Sequence, residues 1–172
     1  NGISGVPAVT EEDRNGGSEQ TMGRYLEKEM TLPEEMTVVS YPTMCLQKLK
    51  TGELMLLEKT AGVYVSEDNG ESWSPREASW LRDLREHYIS SLAIGPDGSV
   101  ALIYILSEEG EEDSYRSVGL YVDPEGKQTT VEAPDGEKLY RFAFGNDSRL
   151  YGYTMEHRGY VMDPAGGEAE QL

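Results

Sequence analysis

The sequence predicts an all-β fold, a β-propeller of four-stranded antiparallel blades with about three blades in this chain. Three observations carry that prediction. Turn-forming residues, 19 Gly and 8 Pro in 172 residues, recur between short apolar runs, which marks hairpins more than helices. Three strand-turn-strand segments repeat: CLQKLKTGELMLL around Gly52, SLAIGPDGSVALIY around Gly98 and RFAFGNDSRLYGYT around Asp147. Their turns at Lys50, Pro96 and Asn146 are about 46 and 50 residues apart, and four-stranded units at such a period are the signature of blades.

The remaining strands repeat with them. GVYVSEDNGESW, GLYVDPEGKQTT and GYVMDPAGGEAE each place a Gly-led β-run before an acidic residue and a glycine. Pro, Gly, Asn and Asp at the corners supply the backbone angles that tight turns need. The runs that read LP and AP end like edge strands, because Pro cannot donate to a central ladder. The blades so defined cover residues 37–79, 88–134 and 138–172, the third running out before a clear fourth strand. Residues 25–33 read as an outermost strand that completes the last blade of a ring. Between the first two blades, EASWLRDLREHY at Glu77 to Tyr88 sets Trp80, Leu81 and Leu84 on one side, the spacing of a short helical turn.

Ahead of the blades, residues 1–23 are rich in Gly, Ser and Glu and show neither a 3.6 nor a 2.0 period. They read as a disordered leader or tether to the propeller region at 24–172. Three blades do not close a ring, since a propeller typically has four to eight. The chain is therefore expected to be part of a larger ring, whose remaining blades come from the same protein or by association.

Composition narrows the partners. A formal charge of −17, from 32 acidic against 15 basic residues, argues against nucleic acid, whose phosphates call for clustered Lys and Arg. No run of about eighteen apolar residues is present to span a membrane. Cys45 is the single cysteine, so an internal disulfide and a multi-cysteine metal site are excluded; flanked by Met44 and Leu46, it reads as a small buried apolar residue. His87 and His157 lack an HExxH pattern and a cysteine partner, which argues against zinc. No cofactor is expected, for neither GxxxxGK nor GxGxxG occurs.

Ser66, Glu67, Asp68, Asn69, Gly70, Glu71, Ser72 and Trp73 fit SxDxGxxW, and this segment resembles the Asp-box, or bacterial neuraminidase repeat. The chemistry of the residues is intelligible. Asp68 accepts backbone N–H groups in the turn, Gly70 takes the left-handed corner, the Ser66 hydroxyl closes the loop and Trp73 packs beneath. The resemblance implies a hairpin between the third and fourth strands of a blade, at the periphery of a sialidase-like propeller, with these four residues structural. DPEG at Asp123 to Gly126 and DPAG at Asp163 to Gly166 look like degenerate copies.

A sialidase would need an arginine triad, a Tyr activated by Glu and an acidic proton donor, the first arginine lying in an (F/Y)RIP motif. The nearest counterpart is VSYP at Val39 to Pro42, where Ser40 stands in place of the arginine and cannot make its bidentate charged contact. No nucleophile elbow of GxSxG type is present. The acidic run Glu108, Glu109, Glu111, Glu112 and Asp113 reads as a solvated loop, without the spaced DxDxDG pattern of a calcium site. The 11 tyrosines read mainly as inter-blade packing, with a sugar-stacking groove as the other use.

These observations lean away from catalysis. They point to a non-catalytic, exported bacterial propeller, extracellular or tethered at the cell surface, that binds a glycan or a protein partner. The alternatives are the N-terminal part of a sialidase-like or other glycoside hydrolase with catalytic residues beyond this chain, and a scaffold or assembly factor.

Overall fold

Short β-branched and aromatic runs separated by tight turns can satisfy their backbone groups only by pairing with the next run, and the chain does this as a meander. The computed structural model describes residues 30–36, 43–107, 114–163 and 169–172. Among these, twelve strands form three four-stranded antiparallel sheets, each in chain order. Sheet 1 holds β1 (Met44–Lys48), β2 (Leu54–Glu58), β3 (Gly62–Ser66) and β4 (Ser74–Arg76). Sheet 2 holds β5 (Tyr88–Ile94), β6 (Val100–Ser107), β7 (Tyr115–Val122) and β8 (Gln128–Val131). Sheet 3 holds β9 (Leu139–Phe144), β10 (Leu150–Thr154), β11 (Gly159–Met162) and β12 (Glu170–Gln171). They are blades of a partial β-propeller, and β5 lies beside β1 on one side and β9 on the other.

The fourth strand of sheet 3 corrects the sequence expectation that this blade runs out early. Tyr160 and Val161 pair with Gln171 and Glu170. The strand is only two residues long and fully polar, so neither alternation nor apolar content could signal it. The leader at 1–23, the VSYP segment and the acidic run at 108–113 lie outside the described residues. So does most of the outer strand expected at 25–33; its described end, 30–33, is irregular chain held to sheet 1 by Thr31 N–H donating to the Gly70 carbonyl at 3.1 Å.

The three first turns share one construction. Leu49, Gly95 and Gly145 each donate to the carbonyl four residues on, at 2.8, 2.8 and 3.0 Å. The residue three places later, Gly52, Gly98 or Ser148, takes a positive φ and donates back. Asp97 and Asp147 add a side-chain acceptor for the N–H groups of Ser99 and Arg149, the local bond for which Asp is favoured in turns.

Packing follows from the two-residue period of a strand. In β6, Val100 and Leu102 face sheet 1 with Met55, Leu57, Val63, Leu120 and Val122, while Ala101 and Ile103 face sheet 3 with Leu139, Phe142 and Leu150. Sheet 2 is thus buried on both faces. Each such leucine contributes about 1.5–3 kcal/mol on leaving water. Sheets 2 and 3 approach closely because Gly119 has no side chain where Leu139 and Phe142 come in. The approach is fixed by Phe142 N–H donating to Ser91 Oγ at 3.0 Å and by the Arg141 guanidinium donating to the Ser90 carbonyl.

The link from sheet 1 to sheet 2 is the 3-10 segment Ser79–Leu84, where the helical turn was expected. Its Trp80, Leu81 and Leu84 are buried in the sheet 1 to sheet 2 core. On the opposite face of sheet 1, Leu56 and Tyr64 pack with Met36, Leu32 and Trp73.

Candidate functional site

Because every sheet is a simple meander, its connections segregate to two ends. The β1 to β2 and β3 to β4 turns lie at one end with their counterparts in the other sheets. The β2 to β3 turns and the links between sheets lie at the other, called here the linker end.

The SEDNGESW hairpin joins β3 to β4 and so belongs to the turn end. Its side chains form a closed set of bonds. Ser66 Oγ donates to Asp68 Oδ1 at 2.7 Å and accepts from Gly70 N–H at 2.8 Å. The Asp68 carboxylate also accepts from Ser72 N–H at 2.8 Å and Ser72 Oγ at 2.6 Å. These donors hold the Asp68 carboxyl far below the usual carboxylate range, the Ser72 hydroxyl first among them. Asn69 and Gly70 both have positive φ, 57° and 88°. A side chain on Gly70 would strike Met30, so the corner needs glycine for space as well as for its backbone. Trp73 packs beside Leu56 and Tyr64, and its indole N–H donates to the Thr31 carbonyl. Most of these bonds are made within the hairpin itself, so the side chains serve first to hold the turn.

Asp123 and Gly126 occupy the same β3 to β4 position in sheet 2 as a shorter turn. Asp123 Oδ1 accepts from the N–H groups of Glu125 and Lys127 at 3.0 and 2.8 Å, and Gly126 has a φ of 89°. Asp163 directly follows β11, and Gly166 lies outside the described residues. Asp123, Gly126 and Asp163 all lie at the turn end.

The linker end carries a groove between sheets 2 and 3, of about 360 Å³. Tyr88, Ser90, Ile105, Tyr115, Leu139, Tyr140, Arg141 and Met155 line it. They come from the first residues of β5, β7 and β9, the end of β6 and the turn after β10. Tyr88 is 66% exposed and Tyr140 40%, so the groove presents aromatic surface from neighbouring strands to solvent. The rings are braced: Lys138 Nζ sits 4.1 Å from the Tyr115 ring centre, Arg141 lies 5.0 Å over Tyr140, and Tyr140 meets Tyr153 at 5.4 Å. The Tyr115 hydroxyl reaches Met155 Sδ at 3.5 Å. On the same face of β7 as Tyr115, one pleat deeper, Ser117 Oγ is buried without a hydrogen-bond partner among the described residues.

Chemically the groove offers apolar ring faces, phenol hydroxyls and the Arg141 guanidinium, with Lys138 beside it. No Asp or Glu lines it among the described residues, whereas glycoside hydrolysis uses two carboxyl groups about 5–10 Å apart. His87 stacks on Tyr104 at 5.3 Å and His157 sits in the turn after β10 with a φ of 63°. No group of three His, Cys, Asp or Glu able to hold a metal occurs among the described residues. Cys45 packs half-buried against the sheet 1 to sheet 2 core, and burial pushes its thiol up. No described helix is long and apolar enough to cross a membrane.

Sequence reasoning missed this groove, because its rings lie at positions 88, 115 and 140, each on a different strand. The available signal was that Tyr88 and Tyr140 stand at the starts of the equivalent strands β5 and β9 in a repeat already visible.

No protein-family model matches the chain, and no curated protein matches it. Among solved structures, selenomethionine-substituted virginiamycin B lyase from Staphylococcus aureus is similar to it, at 15% identity and a TM-score of 0.43. The likeness covers 84% of this chain and 44% of the lyase, so the chain spans less than half the length of that protein.

Proposed function

We propose that this chain is a non-catalytic binding module that takes a glycan in the groove of Tyr88, Tyr115 and Tyr140. The observation that carries the reading is the set of exposed tyrosine faces at the linker end, beside Arg141 and with no carboxylate among the described residues that line the groove. Aromatic faces fit the apolar C–H faces of sugar rings while phenol and guanidinium groups take their hydroxyls, the mixture of apolar wall and few polar groups common to ligand sites. The hairpin that resembles an Asp-box is then a brace at the opposite end of the blades. The same reading places the protein outside a bacterial cell, free or held at its surface, with further blades completing the ring.

A glycan array probed with the wild type and with Tyr88→Ala and Tyr140→Ala tests it. Bound glycans should be lost or weakened about tenfold in each variant, the effect of removing a stacking partner worth roughly 1–2 kcal/mol. An array without hits, or hits indifferent to both substitutions, overturns the proposal. Release of new reducing ends from a bound glycan would overturn its non-catalytic part.

A further inference from the structure

The chain has 32 acidic and 15 basic residues, yet one cavity inverts that balance. At the linker end of sheet 1, a pocket of about 210 Å³ is lined by Arg76, Arg82 and Arg85 against a single acid, Glu77. Its other wall is residues 61–64, the end of the β2 to β3 turn and the start of β3.

The arginines are placed by the geometry of the link. A 3-10 helix has three residues per turn, so side chains three apart stand in one row. In Ser79–Leu84 that period buries Leu81 and Leu84 on one side and aligns Ser79, Arg82 and Arg85 on another. Arg85 keeps the row because its backbone remains helical, with φ −60° and ψ −33°. Arg76 is engaged between the sheets, donating to the Pro124 carbonyl. The Glu77 carboxylate turns to Ser79 N–H at 2.9 Å. Arg82 and Arg85 have no ion-pair partner among the described residues, in a chain where acids outnumber bases two to one.

We propose that this pocket binds a tetrahedral oxyanion, a phosphate or sulfate group, held by the Arg82 and Arg85 guanidinium groups and the Ser79 hydroxyl. Guanidinium forks match such oxygens in pairs and do not lose their charge. Two cations without an ion-pair partner among the described residues also balance the charge of about −1.5 to −2 that a phosphate monoester carries. The site is separate from the tyrosine groove, so neither reading depends on the other.

The test is a titration of the chain with inorganic phosphate, inorganic sulfate and glucose 6-phosphate, followed by amide and arginine side-chain NMR shifts at constant ionic strength. Arg82→Gln/Arg85→Gln is the site variant and Arg149→Gln, at an exposed arginine of the β9 to β10 turn, is the control. Saturable shifts confined to residues 61–64 and 75–85, weakened about tenfold or more in the site variant and unchanged in the control, are expected. Binding by glucose 6-phosphate tighter than by the free ions would show the group taken on a carrier; tighter binding by the ions, the free anion. Shifts that do not saturate, or that persist in the site variant, overturn the proposal. An amide spectrum of Ser79→Ala that keeps the wild-type fold but loses affinity distinguishes a lost contact from lost structure.

Discussion

At the scale of single residues, the hairpin from Ser66 to Trp73 ties stability to the ionisation of one carboxylate. Asp68 accepts from Ser66, Ser72 N–H and Ser72 Oγ, and these bonds favour its charged form over the ordinary value of 3.8. A group whose folded pKa is depressed contributes stability above its unfolded pKa and loses it as pH falls. Asp68→Asn should therefore lower the urea midpoint at neutral pH. The gap between variant and wild type should begin to close below the ordinary value and keep closing as the solution becomes more acidic. Unfolding curves across that range check it; a gap that stays constant would mean that the charge of Asp68 contributes nothing.

At the scale of elements, the blade repeat was legible and its exceptions were instructive. The turn spacing showed where β1 to β2, β5 to β6 and β9 to β10 lie, because three turns of one construction draw on turn-forming residues at matching places. The row of Trp80, Leu81 and Leu84 announced a helical turn, since burial selects the side it keeps. The strand β12 was invisible because Glu170 and Gln171 earn their place by backbone bonds alone. The groove was invisible because it is made by the approach of two sheets, and the contact that sets their distance is an absence, the missing side chain of Gly119. A Cβ there would lie 2.5 Å from the Val131 carbonyl oxygen, 2.9 Å from Leu139 and 3.0 Å from Phe142. Gly119→Ala should then cost about 1–3 kcal/mol by overpacking, read as a lower urea midpoint. An unchanged midpoint would show that β8 and sheet 3 can both shift without loss.

At the scale of the whole molecule, the formal charge of −17 opposes compaction, because a folded chain brings its like charges together. The Debye length falls from about 30 Å at 0.01 M salt to about 8 Å at 0.15 M, so added salt screens the distant repulsions. One attraction that salt could weaken in return is partly sheltered. The Glu137 carboxylate, 7% exposed, takes the 48% exposed Arg158 guanidinium and the hydroxyls of Thr154 and Tyr160 at 2.9 and 3.2 Å, and partly buried pairs are screened less than exposed ones. Raising sodium chloride from about 0.01 to 0.15 M should thus increase the thermal midpoint by a few degrees, as relief of roughly 1 kcal/mol does in a domain of this size. Scanning calorimetry at several salt concentrations measures this directly. A midpoint that fell with salt would mean that attraction among the 15 basic and 32 acidic residues outweighs their net repulsion. The surface would then be arranged in compensating pairs, and the uncompensated arginines beside Ser79 would stand out against it all the more.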